Sequence, residues 1–132
     1  MLAGRSREAL SPLHTALRFS PKDPLAPGMR FTLCHAHLHL REYAAALEEC
    51  RRSINLNKEY WYAYPDLIVA YEATGRPQEA KLALAELYQL RPDFTIERYR
   101  QLGFLFSSNP QFRKELVEIL VEGLRKAAVR KE

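Results

Sequence analysis

Glycine is scarce in this chain, five among 132 residues, and cysteine scarcer still, with two. Five glycines leave little material for an active-site loop. Neither a phosphate-cradling glycine loop nor a G-x-S-x-G elbow occurs. With no paired carboxylates to do acid–base work either, the sequence reads as non-enzymatic and calls for no cofactor. Cys34 and Cys50 fit no metal-ligand or redox spacing. Long apolar runs are missing: the longest stretch free of charge, residues 101–112, is too short and too polar to span a bilayer. The opening MLAGRSREALSP has no apolar core of a secretory signal. These features point to a cytoplasmic address with both thiols reduced and no membrane partner.

An excess of one charge is missing from the body of the chain. Lys and Arg total 20 against 16 Asp and Glu, a net charge of +4, yet residues 27–121 balance at 12 of each. The excess lies at the ends, on Arg5, Arg7, Arg18 and Lys22 and on Arg125, Lys126, Arg130 and Lys131. Glu115, Glu118 and Glu122 precede the last group, an order that suits the dipole of a helix. Nucleic-acid faces gather basic residues and stacking aromatics on one element, so no nucleic-acid partner is expected. At 47% hydrophobic and 27% charged residues, the chain can bury one domain's core.

What is present is a repeat. Shifted by 34 residues, Leu33 falls on Leu67, Ala46 on Ala80 and Leu56 on Leu90. REYAAALEECRRSINLNKEY and GRPQEAKLALAELYQLRPDF are the clearest aligned pair. Each copy reads as two helices. The first copy gives residues 31–40, a break at Arg41 and Glu42, then 43–56. The second gives 64–74, a stop at Gly75, then a helix opened by Pro77 and running to about Leu90. An antiparallel pair cannot bury its apolar face alone, so such units stack.

This pattern resembles the tetratricopeptide repeat, a 34-residue helix–turn–helix unit. Tyr64, Leu67, Ile68, Tyr71, Ala80, Leu84 and Pro92 fill its signature places in the second copy; Arg30, Leu33, Cys34, His37, Ala46, Cys50 and Lys58 do so in the first. The resemblance implies an all-α right-handed solenoid with a C-terminal capping helix. Residues 1–26 form a partial repeat and linker, 27–60 the first repeat and 61–94 the second. Residues 95–132 give a short helix and the cap. Ser11 is expected to cap a short helix beginning at Pro12, and SSNP (107–110) to open the last helix. LRFSPKDP, RPDFTIERYR and SNPQFRKELVEILVEGLRKA together show a narrower likeness. They are similar to the C-terminal repeat region of bacterial proteins in which a cyclase or winged-helix domain precedes the repeats. That implies an interaction tail of a signalling protein.

In such solenoids the first helix of each pair lines the concave face. This places Phe31, His35, Leu38, Tyr62, Asp66, Val69 and Glu72 in a groove for a partner peptide or helix. Some members clamp a C-terminal carboxylate with lysines and asparagines. Phe31, His35, Pro65 and Val69 stand on the matching faces instead, so that mode is not expected. Cys34 and Cys50 occupy slots that face each other in one helix pair and read as small apolar fillers. His35 and His39 share a face at i, i+4, a spacing that can hold a metal, but no third ligand is evident, and the expectation is none. Glu8-Ala9-Leu10 and residues 16–21 read as the second helix of a preceding repeat, with no first helix expected before it. The face around Leu13, Leu17 and Phe31 is therefore expected to self-associate, giving a homodimer or a scaffold without a separate ligand.

Overall fold

The computed structural model describes residues 2–102 and 110–131. Among the described residues there are seven helices and no strand. They are α1 (Leu2–Phe19), α2 (Ala26–His39), α3 (Tyr43–Leu56), α4 (Ala63–Ala73), α5 (Pro77–Leu90), α6 (Ile96–Gln101) and α7 (Pro110–Lys126). Helices α2/α3 and α4/α5 are the two repeat pairs, and each helix from α1 to α5 packs on the next. Ala46 and Ala80 are fully buried where paired helices approach closely. Ile68, bulky for its slot, is fully buried too.

The breaks follow backbone chemistry. Gly75 has φ 74° and Arg41, its equivalent one repeat earlier, φ 60°. At both stops the next amide N–H reaches back to the last turn: Glu42 N–H donates to the His37 carbonyl at 2.9 Å and Arg76 N–H to that of Tyr71 at 2.8 Å. Thr95 Oγ1 accepts from the Arg98 N–H at 3.1 Å and caps α6.

One element differs from expectation. Pro12 does not start a helix; it lies inside the 18-residue α1. The price of one backbone donor is outweighed by packing, since Leu10, Leu13 and Leu17 share a stripe that docks with Ala26, Met29 and Leu33 of α2. The last helix is the expected cap. It packs chiefly on α4, then on α2 and α6. Ser107 to Asn109, the expected lead-in, lie outside the described residues. Beyond α7 the chain turns back along α6, where the Ile96 and Glu97 N–H groups donate to the carbonyls of Arg130 and Lys131 at 2.8 and 3.1 Å. These bonds satisfy amides that no helix partner can reach.

Candidate functional site: the face of the first helices

Helices α2 and α4 carry the residues assigned to the groove, apart from Tyr62, which immediately precedes α4, and α7 packs on both helices. Leu38 and Asp66 are fully buried, Val69 is 3% exposed and His35 6%. Leu116, Leu120 and Leu124 of α7 are fully buried in the same core. Gly123 is the point of closest approach: a Cβ there would stand 2.7 Å from both Val69 methyl carbons. His39 Nε2 meets Glu115 Oε2 at 2.9 Å, which ties α2 to α7 by a polar contact. Glu72 is half-buried.

The end of the face that α7 leaves open is aromatic. Phe31 lies 4.2 Å from the His35 ring and 5.8 Å from that of Tyr60. Tyr60, Tyr62 and Trp61 continue the cluster, with the Trp61 and Tyr62 rings stacked at 4.2 Å. Trp61 meets Phe94 edge-on, and the Arg91 guanidinium stands 4.7 Å over the indole. Tyr62 is 37% exposed and Phe31 half-buried. Such clusters bury large area at low entropic cost, the usual chemistry of a contact anchor.

Beneath the aromatics lies a polar network drawn from α2, α4 and α6. Asp66 Oδ2 contacts His35 Nδ1, and Tyr99 O–H donates to Asp66 Oδ1 at 3.5 Å. Burial pushes the Asp66 carboxyl above its usual range, while His35 and Tyr99 draw it partly back. Burial and the adjacent carboxylate push the Tyr99 phenol well up, so it stays a donor. The signal for this network was an acidic residue inside the apolar run YPDLIVAY. Glu49 was also missed: only 5% exposed, it is held by Arg30 at 3.0 Å and Arg52 at 3.4 Å.

The thiols correct an expectation. Cys34 and Cys50 are joined in a disulfide linking α2 to α3, with Cα atoms 5.5 Å apart. Facing slots of a helix pair bring the backbones within bridging range, and the pair is fully buried, as small fillers would be. The two histidines part company: His35 turns to Asp66 and His39 to Glu115. At the self-association face, Leu17 is 2% exposed and covered by α2, Leu13 is half-buried, and Phe31 belongs to the main core's edge. Phe19 and Leu25, 83% and 73% exposed, are the large apolar side chains open nearby.

Stacked antiparallel helix pairs, with first helices lining one face, define an α-solenoid of the tetratricopeptide-repeat type. Solved structures bear this out. A crystal structure of MamA, itself of this fold, matches 93% of the chain with a TM-score of 0.62 at 24% identity. A second MamA structure matches 77% of it with a TM-score of 0.51 at 27% identity. The matches span 64% and 60% of those longer chains. No protein-family model and no curated protein matches the sequence. No described helix is long and apolar enough to cross a membrane.

Proposed function

We propose that this chain is a non-enzymatic, cytoplasmic protein-interaction scaffold that takes a partner peptide or helix on the face of its first helices. The observation that carries this is the aromatic cluster of Phe31, Tyr60, Trp61 and Tyr62, left open where α7 ends its cover. A partner's apolar side chains insert between Phe31 and Tyr62. His35, Asp66 and Glu72 set polarity behind them, while Leu38 and Val69, both buried in the core, take no direct part in the contact. The MamA structures share the repeat fold on which this reading is built. The likeness of the flanks to cyclase- and winged-helix-associated repeats adds the reading of a regulatory tail in a bacterial signalling protein. Affinity capture from the native host tests the groove. Partners retained by wild type and by Leu82→Ser, on the far side, are expected to be lost from the Phe31→Ala/Tyr62→Ala variant. Equal capture by all three contradicts the reading.

A second reading is homo-oligomerisation at the N-terminal end, where burial of Leu17 by α2 moves the expected face from Leu13, Leu17 and Phe31 to the exposed Phe19 and Leu25 beside them. Phe19 and Leu25, exposed beside the stripe that α1 packs on α2, are the apolar side chains a second copy would cover. Light scattering at high micromolar concentration distinguishes a dimer from a strict monomer.

A further inference from the structure

The Cys34 and Cys50 sulfurs and a carboxylate oxygen of Asp66 lie within 4.8 Å of one another, all three side chains fully buried. Nothing in the spacing of these residues announces a site; stacking α2, α3 and α4 assembles it. We propose that reduction of the Cys34–Cys50 bond converts this cluster into a binding site for one thiophilic divalent cation of the Zn2+ type. The bonded sulfurs cannot act as thiolate ligands, so disulfide and metal are alternative states of one place in the core.

The chemistry balances simply. A dithiol reductant gives two electrons and two protons, breaks the S–S bond and leaves as its own disulfide. The cation then displaces both thiol protons, and the proton of the Asp66 carboxyl where it is held, to solvent. Two thiolates and one carboxylate select Zn2+ or Co2+ over Mg2+ and Ca2+, which prefer all-oxygen cages. Three protein donors leave the fourth tetrahedral position for water. His35, in contact with Asp66 Oδ2, is the positioning residue that orients the carboxylate. Where the disulfide ties α2 to α3, the metal ties both to α4 as well. A reducing compartment would hold the pair as thiols and make the metal state available. The donors are sealed beneath the packed helices, so loading takes place as the chain folds.

The test uses the full chain, unfolded in guanidinium under argon. A phosphine is the reductant; it takes its oxygen from water and leaves as the oxide. The chain is refolded with Co2+ and freed of excess metal by gel filtration. One Co2+ per chain is expected, with thiolate-to-cobalt charge-transfer absorption and tetrahedral bands that Zn2+ bleaches. The disulfide form and the Cys34→Ser/Cys50→Ser variant should retain below about a tenth of an equivalent. His35→Ala should bind about 10- to 100-fold more weakly while keeping the charge-transfer bands. Asp66→Asn should lose affinity; if it fails to fold, the double serine variant, checked by circular dichroism, decides alone. Reduced wild type that retains no cobalt, or serine variants that retain as much, overturns the proposal.

Discussion

Full burial of Asp66 sets the sign of one pH dependence. Its carboxyl is raised in the folded chain, first by desolvation, with His35 and Tyr99 opposing. A raised carboxyl favours the proton, so its stabilising share is complete below its ordinary value of 3.8 and is lost as pH climbs through the folded value. Asp66→Asn keeps the shape and cannot ionise. Chemical denaturation across that range should show wild type losing stability relative to Asp66→Asn as pH rises; a widening advantage for wild type would show that the ionised form is the favoured one. Gly75 offers a simpler test. With φ 74° and open space around its Cα, alanine there meets only backbone strain, about 1–2 kcal/mol in an unfolding titration. Residue-level reading of the sequence was good where one slot means one thing, as at Gly75 or Ala80. It was blind to Asp66–His35–Tyr99 and to Glu49–Arg30, because pairing across helices depends on distances that no local pattern contains.

Among the elements, the repeat helices were the most legible. Their apolar residues, prolines and glycine stop agree with one another, and α3 spans the residues expected of it. Helix α1 was misjudged because Pro12 is a local signal, whereas the Leu10, Leu13 and Leu17 stripe gains its partner only from α2. Helix α7 was recognised as a cap, but the sequence does not say which face that cap covers. Its seat on α4 and α2 carries a prediction. Deleting residues 110–132 should uncover Leu38, Val69 and their neighbours and yield a protein that binds a hydrophobic dye or associates. A truncated chain that stays monomeric and dye-silent would mean that α7 covers no apolar face.

For the whole molecule, the 34-residue period made the solenoid readable, since a repeat fixes both its unit and its neighbours. The net charge of +4 lies at the ends of the sequence, while the open end of the face is aromatic. How much of that face stays open depends on α7, and the Gly123–Val69 contact reports on it directly. Glycine to alanine within a helix ordinarily stabilises by about 0.5–1 kcal/mol. Here a Cβ would fall 2.7 Å from the Val69 methyls. A double-mutant cycle of Gly123→Ala and Val69→Ala, followed by denaturant unfolding, is therefore the most direct measurement. The account predicts that Gly123→Ala destabilises wild type by about 1–3 kcal/mol and that Val69→Ala relieves most of the loss. Additive effects, with Gly123→Ala stabilising in both backgrounds, would contradict the placement of α7 on the first-helix face.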